Sequence, residues 1–400
     1  MKVYRVGGSV RDELLERPIA DRDYVVVGAT PQQMLEQGFK PVGREFPVFL
    51  HPDTHEEYAL ARTERKRGRG HRGFSFHAAP EVTLEEDLAR RDLTINAIAR
   101  DADGTLIDPY GGAADLRQGV LRHVGPAFVE DPLRVLRLAR FAARFGFSVA
   151  DETEALLQAI VASGELATLT RERVWQELAK ALMEVQPSRF FVVLNRCGAL
   201  VQLLPEVDPL FGEGTYVSAR RTSHALPPTL RALDSAAAAG DTLPVRYAVL
   251  ASDLAQPGAA QTGSAARNLR LAAALNGRLK APAECAALAL ATARVRPLVE
   301  RARELTAAAL LDLLLALDAL RRPSRLDHVV AACGARWSAR TGGAVAGYLP
   351  AAHLRGALAV VRNVNAGAIA AKTRRADLPK RLRMTRLKAL RTWLDRASSV

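Results

Sequence analysis

The sequence of 400 residues has few cysteines, few aromatic residues and no long apolar run. Its cysteines, Cys197, Cys285 and Cys333, are odd in number and far apart, which speaks against a disulfide framework or a cysteine metal site. No apolar stretch approaches the roughly 20 residues that span a bilayer. The amino terminus, MKVYRVGGSV, lacks the apolar core of a secretory signal. These absences predict a globular protein of the reducing cytoplasm.

Acidic side chains are also scarce relative to basic ones. The chain has 56 Lys and Arg against 43 Asp and Glu, which gives a net charge of +13. The positive charge is clustered in RTERKRGRGHRG (62–73), a glycine-rich stretch that reads as a loop, and between Lys372 and Arg396. Basic clusters of this kind attract polyanions, and nucleic acids bind them with release of counterions. The charge pattern therefore predicts a partner that carries phosphate.

The chain divides into a mixed first part and a helical remainder. Up to about residue 125, short strand patterns alternate with helical ones, and one helix has Thr30 as its predicted N-cap, Gln33 closing a capping box and Gly38 at its end. Short alternating strands favour a mixed sheet over a parallel one. After Asp131 the strand signals fade and helical periodicity continues. We predict an α+β fold: a small mixed-sheet α/β head followed by an elongated all-helical neck, body and tail.

Two glycines in VGGSVRD (6–12) indicate a phosphate-binding site. Gly7 and Gly8 stand between a predicted strand and a predicted helix, where glycine lets the backbone approach a ligand closely. The start of the helix offers N–H groups to a phosphate, and Arg11 adds a positive charge one turn later. The spacing differs from the G-x-G-x-x-G pattern of dinucleotide-binding folds, which excludes that class.

Two aspartates precede the next buried strand, in PIADRDYVVVG (18–28). Side chains at positions i and i+2 of a strand point the same way, roughly 7 Å apart, so Asp21 and Asp23 are placed to hold Mg²⁺ with nucleotide phosphates. Arg22 points to the other side. A third carboxylate from a neighbouring strand would complete the set, and Glu57 is the candidate, since Glu56 faces the opposite side.

These motifs occur together with ARRDLTINAIA (89–99), DPYGG (108–112) and EDPLRVLRLARFAARFGF (130–147). The combination resembles the class II tRNA nucleotidyltransferases, the bacterial CCA-adding enzymes of the polymerase β-like superfamily. The resemblance is dense up to about residue 210 and thin beyond it. It implies addition of C, C and A to the 3′ end of tRNA from CTP and ATP, without a nucleic-acid template, with Mg²⁺ as cofactor and pyrophosphate as product. It also implies four domains: a catalytic head (1–125), a neck (126–211), a body (212–330) and a basic, tRNA-binding tail (331–400).

The resemblance also implies roles for individual residues. Gly8 and Arg11 are similar to the family's triphosphate site, and Asp21 and Asp23 to its metal site. The resemblance implies that Arg91 binds the nucleotide and that Asp92 and Asn96 shape the sugar pocket. It implies that Asp131 and Arg134 read the base. Arg137 and Arg140 would bind nucleotide or orient these two readers. The base readers lie on a helix whose arginines share one face, with Asp131 at its cap and its carboxylate expected to be free.

Some relatives carry a second site in the body, a metal-dependent phosphohydrolase of the HD type. Here Pro228 stands in the place of an early histidine, and Ser252 replaces the histidine of the His-Asp pair while Asp253 remains. One aspartate cannot hold a transition metal. We therefore predict that this activity is lost, and that His224 is a solvated loop residue.

Two alternatives to CCA addition stay open. A bacterial poly(A) polymerase shares the head motifs, although such enzymes usually carry extensions at both ends and this chain starts on its first strand. An RNA-binding protein with an inactive head is the other, although Asp21 and Asp23 are intact. The sequence indicates no membrane contact and no protein partner.

Overall fold

The computed structural model describes residues 1–19, 21–42, 48–66, 74–212, 226–255 and 264–397. The chain forms two compact units. The first consists of Met1–Ala181 and Arg189–Leu203, and the second of Leu182–Ser188 and Leu204–Val400. The four predicted domains are a finer division and remain a prediction. Within the described ranges, no helix combines the length and the apolar character needed to cross a membrane.

A mixed β-sheet organises the first unit. The first nine strands are β1 Lys2–Val6, β2 Asp23–Val27, β3 Lys40–Val42, β4 Val48–Leu50, β5 Glu57–Leu60, β6 Arg62–Lys66, β7 Phe74–Ala78, β8 Ala99–Arg100 and β9 Leu106–Ile107. Seven of them form one sheet in the order β3-β4-β5-β2-β1-β8-β9, in which β2 and β5 are parallel and the other neighbours antiparallel. Strands β6 and β7 pair separately, as do β10 Val120–Leu121 and β11 Ser148–Val149.

Alternation along β2 gives the sheet a core on each face. Val25 packs with Leu84 and Leu88 on one face, whereas Val26 packs with Met34 and Phe49 on the other. Successive side chains of a strand point to opposite faces, so a run of valines in a central strand supplies both cores. The VVV run of β2 is therefore the centre of the head.

Helices make up most of the remaining chain. The first nine are α1 Gly8–Leu14, α2 Pro31–Glu36, α3 Leu84–Ala89, α4 Gly112–Gln118, α5 Leu133–Phe145, α6 Asp151–Ala162, α7 Arg171–Met183, α8 Ser188–Arg196 and α9 Ala199–Leu203. The second unit adds α10 Pro228–Ala238, α11 Leu243–Ala251, α12 Ser264–Leu279, α13 Ala283–Glu300, α14 Ala307–Ala316, α15 Pro323–Thr341, α16 Leu349–Arg362, α17 Ala366–Ala370 and α18 Leu378–Ala397. The predicted fold class, a mixed-sheet head with a helical remainder, is confirmed.

The predicted capping box at the start of α2 is also confirmed. The Thr30 hydroxyl accepts a hydrogen bond from the Gln33 amide at 3.2 Å, and the Gln33 side chain accepts one from the Thr30 amide at 2.9 Å. Pro31 occupies the first turn, where its missing N–H costs nothing. Gly38 follows the helix with φ of +82°, a conformation that favours glycine.

The basic stretch 62–73 differs in part from its prediction as a loop. Residues Arg62–Lys66 form strand β6, because their backbone pairs with Phe74–Ala78 in an antiparallel ladder. Residues 67–73 lie outside the described residues, as does His224.

Candidate active site

A cavity of about 600 Å³ opens in the first unit between the sheet and α5. It is bounded by the turn between β1 and α1, by β2 and β5, and by residues of α5 and α7. Among the described residues, four acidic side chains line it: Asp23, Glu57, Asp92 and Asp131. Seven arginines of the same described ranges also line it: Arg11, Arg62, Arg90, Arg91, Arg134, Arg137 and Arg173. The excess of positive charge suits a ligand with several negative charges.

The glycine turn admits an arginine to this cavity. Gly7 has φ of +67°, and a Cβ on it would lie 2.7 Å from Nη1 of Arg91. Any side chain at this position would therefore be strained and would displace the guanidinium. Nη1 of Arg91 also donates to the carbonyl of Asn96 at 3.3 Å. The turn, Gly8 included, and the predicted nucleotide-binding Arg91 thus meet at one wall of the cavity.

Arg11 is buried beside this turn. Its Nε donates to Asp12 Oδ1 at 2.9 Å, and its Nη1 donates to Oδ1 of Asn96. The guanidinium carbon lies 5.4 Å and 5.0 Å from the ring centroids of Phe141 and Phe145, within cation–π range. Burial lowers the pKa of Arg11, while Asp12 opposes the shift. Arg11 keeps its charge because the ordinary guanidinium pKa lies far above neutrality.

Asp92 connects Asn96, the other residue predicted to form the sugar pocket, to Arg137. Its Oδ1 accepts hydrogen bonds from the Leu93 amide and from Nδ2 of Asn96, both at 2.9 Å. Its Oδ2 accepts from Nε and Nη2 of Arg137 at 2.8 and 2.7 Å. Burial by itself would raise the pKa of Asp92, but Arg137 and Asn96 outweigh it and lower this pKa to about 2. A fully charged, buried carboxylate therefore fixes Arg137.

Of the two predicted base readers, Asp131 lies two residues before α5, whose N-cap is Pro132 and not Asp131 as expected, and Arg134 lies in the first turn. Each is held by partners. The Asp131 carboxylate is not free as expected, because its Oδ1 accepts from the Leu133 amide at 3.0 Å and its Oδ2 accepts from Arg173 at 3.1 Å. Arg134 donates to the carbonyls of Arg90 at 2.6 Å and Ala127 at 3.0 Å. Both side chains line the cavity in orientations set by these bonds.

Sequence reasoning missed Arg173, which comes from α7 and pairs with Asp131 across 42 residues of sequence. No local pattern in RERVW (171–175) predicts that Arg173 pairs with Asp131. Arg140, in contrast, is not among the residues that line the cavity. Its Nε donates to Oε2 of Glu177 at 2.7 Å, and both side chains are buried. This position favours a packing role between α5 and α7 over nucleotide contact.

The carboxylates proposed for metal binding lie at one end of the sheet. The parallel register places Asp23 opposite Glu57, and both line the main cavity and a second cavity of about 620 Å³ that Asp21 also lines. Asp21 lies two residues before β2, so the strand geometry expected to align it with Asp23 does not include it. Arg22 and Glu56 were expected on the opposite side, but both line this second cavity too. Glu56 accepts from the Thr54 hydroxyl at 3.1 Å and lies 3.8 Å from Arg22.

These carboxylates fit a divalent cation. Burial raises the pKa of Asp23; Arg91 opposes this, and the negative charge of Asp21 raises the pKa further. A cation between Asp21 and Asp23 would relieve that repulsion, and carboxylate oxygens are the ligands that Mg²⁺ prefers. Across the described ranges, no three His, Cys, Asp or Glu side chains converge on a common point. Substrate oxygens would therefore have to complete the coordination.

In the second unit, Asp253 has arginine partners. It lies 3.1 Å from Nη2 of Arg296 and also pairs with Nη2 of Arg336, while Nδ2 of Asn268 donates to it at 3.4 Å. Pro228 begins α10, and Ser252 is buried at the end of α11. Positively charged side chains thus surround the one acid that remains of the predicted HD-like region.

Asp92 generates a prediction on stability. Replacing it by asparagine (D92N) should lower the free energy of unfolding at pH 7 by about 2 kcal/mol, because the ion pair with Arg137 is lost. The folded-state pKa of about 2 lies below the ordinary 3.8, so the contribution is present above pH 4 and disappears as the pH falls towards 2. Urea titrations between pH 7 and pH 3 measure this, with the exposed Asp53→Asn as control. A difference from wild type that is independent of pH would contradict it.

Family models match two parts of the chain. Residues 3–122 match the poly A polymerase head domain, and residues 146–211 match the probable RNA and SrmB-binding site of polymerase A. Among solved structures, the Bacillus stearothermophilus CCA-adding enzyme in complex with CTP superposes with a TM-score of 0.61 at 25% identity, over 92% of this chain and 80% of that one. A CCA-adding enzyme in complex with ATP superposes with a TM-score of 0.65 at 22% identity, over 97% and 86% of the chains, and shows the same fold.

Relatives of much higher identity match almost the whole chain. The multifunctional CCA protein of Dechloromonas aromatica (strain RCB) is 53% identical over 406 residues, covering 99% of this chain and 98% of its own. That of Azoarcus sp. (strain BH72) is 53% identical over 399 residues, covering 98% and 97%. Identity of this extent, together with the shared fold and the arginine-lined cavity, shows that the chain belongs to the bacterial CCA-adding enzymes, a family of nucleotidyltransferases.

Proposed function

We propose that this enzyme adds C, C and A to the 3′ end of tRNA from CTP and ATP, without a nucleic-acid template, and releases pyrophosphate. The observation that carries the proposal is the cavity of the first unit, where seven arginines stand beside the carboxylates of Asp23 and Glu57. A nucleoside triphosphate has the charge and size for such a site. The two relatives described above match almost the whole chain and are multifunctional CCA proteins, which favours CCA addition over the poly(A) alternative and over an inactive head.

Enzymes of this family use a divalent metal ion, and we propose Mg²⁺ here, held by Asp21 and Asp23. When bound, the ion would make the RNA 3′-hydroxyl more acidic and stabilise negative charge on the α-phosphate. Glu57, opposite Asp23 in the sheet, is proposed as the third carboxylate that acts at this position. The hard carboxylate oxygens of Asp21 and Asp23, completed by substrate oxygens, suit Mg²⁺ better than a softer metal.

The chain's own residues would position the triphosphate. Arg11 and Arg91 flank the Gly7–Gly8 turn, so their guanidinium groups and the turn backbone would neutralise charge as pyrophosphate departs. Asp92 and Asn96 would contact the sugar, since both line the cavity beside these arginines. Catalysis by this arrangement is mostly orientation and charge stabilisation.

Asp131 and Arg134 are proposed to read the base. An aspartate accepts and an arginine donates hydrogen bonds, and this pair can address the edge of cytosine or of adenine. Arg173 and the carbonyls of Arg90 and Ala127 hold the two readers in place, which reduces the entropy lost on binding. Arg137 would contact nucleotide directly, because it lines the same cavity.

For the tRNA itself, we propose that α18 contributes contacts with the phosphate backbone. Several of its basic side chains are exposed, among them Lys380, Arg381, Lys388 and Arg391. Charged surfaces of this kind recognise RNA by its shape and backbone. We place the enzyme in the cytoplasm with its substrate, a location in keeping with three buried free thiols.

The second proposal is that the second unit has no HD-type phosphohydrolase activity. The support is the environment of Asp253, whose two carboxylate oxygens pair with Arg296 and Arg336. Guanidinium groups in these positions supply the positive charge that a metal ion would otherwise supply, and they repel a cation. In this proposal Asp253 is a structural residue.

Removal of one metal-binding carboxylate tests the main proposal. The Asp21→Ala variant should lose nucleotide incorporation by about a thousandfold or more, because the ion would lose a ligand, while the fold stays intact at this exposed position. The measurement is sequencing of tRNA that lacks its 3′ end after incubation with Mg²⁺, CTP and ATP. Wild type should add two cytidines and one adenosine and then stop.

The matched control is Asp53→Ala, another exposed aspartate of the head, which should behave as wild type. The binding of tRNA should be nearly unchanged in both variants. A long adenosine tract from wild type would select poly(A) polymerase, and the absence of any incorporation would favour an RNA-binding protein. Full activity of Asp21→Ala would show that the metal assignment is wrong.

Asp253→Ala tests the second proposal. The variant should unfold more easily by about 3 kcal/mol, because two largely buried arginines lose the carboxylate that they share. Thermal unfolding measures this loss of stability. In a separate assay, incubation of wild type with Ni²⁺ or Mn²⁺ and phosphate esters should give no hydrolysis. Metal-dependent hydrolysis that survives Asp21→Ala but disappears in Asp253→Ala would overturn the proposal.

A further inference from the structure

Asp87 of α3 is a buried carboxylate that does not line the cavity, yet it contacts residues that do. Its Oδ1 accepts from Nε and Nη2 of Arg90 at 3.0 and 2.6 Å, and its Oδ2 accepts from Nη2 of Arg91 at 3.2 Å. The backbone amide of Arg62, the first residue of β6, donates to Oδ1 at 3.3 Å. Three residues of the cavity wall therefore share one buried anion.

The negative charge on Asp87 reduces the repulsion between Arg90 and Arg91. Burial raises the pKa of Asp87, but Arg90 and Arg91 outweigh burial and keep this pKa below its ordinary value, so the group is ionised. Two guanidinium groups on adjacent residues repel each other, and the repulsion is strong where water is excluded. An anion between them allows both to face the same cavity.

The contacts of Arg91 and Arg90 extend this arrangement in two directions. Arg91 reaches past Asp87 to the Asn96 carbonyl and lies against Gly7, where the proposed triphosphate site begins. Nε of Arg90 also donates to the carbonyl of Arg62 at 3.0 Å. Both backbone groups of Arg62 are thus bound, one by Asp87 and one by Arg90, which ties the start of the β6–β7 pair to the cavity wall.

We propose that Asp87 is a positioning residue for nucleotide binding, which holds Arg91 in the orientation that contacts the triphosphate. This inference rests on the proposed function, since it requires that Arg91 binds CTP and ATP. Asp87 itself touches neither nucleotide. Its effect on the reaction passes through Arg91, and this distinguishes it from a residue that only stabilises the fold.

Asp87→Asn in the full-length enzyme tests this. The variant should raise KM for CTP and for ATP by about tenfold with a much smaller change in kcat, because a charge-assisted bond to Arg91 is lost before the nucleotide binds. The decisive measurement is a double-mutant cycle with Arg91→Ala. In the Arg91→Ala background, Asp87→Asn should change KM less than about twofold, because the group through which it acts is gone.

The matched control is Asp115→Asn, another buried aspartate of the head that pairs with Thr94 and Arg122 and does not line the cavity. It should leave both KM values at the wild-type level even where it lowers the melting temperature. If Asp87→Asn does not fold, Asp87→Glu is measured in the same cycle. Its longer side chain displaces the carboxylate from Nη2 of Arg91, so KM should again rise beside Arg91 and change less than about twofold in the Arg91→Ala background. An unchanged KM, or an equal fold-increase in both backgrounds, overturns the inference. Absence of incorporation by wild type contradicts the proposed function instead.

Discussion

Buried carboxylates that pair with arginines are the constraint on which the candidate site depends. The seven described arginines around the cavity repel each other, and water screens this repulsion less in a concave site than on an open surface. Asp92 beside Arg137, Asp87 beside Arg91 and Asp12 beside Arg11 compensate for this repulsion with negative charge. The guanidinium groups can then line the cavity in fixed positions before any nucleotide arrives.

Fixed positions matter because this enzyme is proposed to choose its nucleotide without a nucleic-acid template. A flexible arginine would lose entropy on binding and would accept either base, whereas an arginine held by partners presents its donors in one geometry. Arg134 is held by two carbonyls and Asp131 by Arg173. The second unit uses the same kind of ion pair in a structural role, since Arg296 and Arg336 hold the partly buried Asp253.

The sequence predicted the local parts of this arrangement well and the distant contacts poorly. The capping box at Thr30, the strand of Asp23 and the mixed sheet follow from neighbouring residues, and the structure confirms them. The partners of Asp131 and Arg140 lie 42 and 37 residues away along the chain, on α7. Periodicity cannot pair such positions, because several arginines of α5 share one face and only packing against α7 selects among them.

One competition measurement tests whether the side chains of Asp131 and Arg134 choose the base. Arg134→Ala is given CTP and ATP together on tRNA that awaits its first C and on tRNA that awaits the final A, and the incorporated bases are counted. Arg134→Ala should lose most of its discrimination between the two nucleotides, with triphosphate binding weakened far less. An equal loss of binding and of discrimination would contradict it.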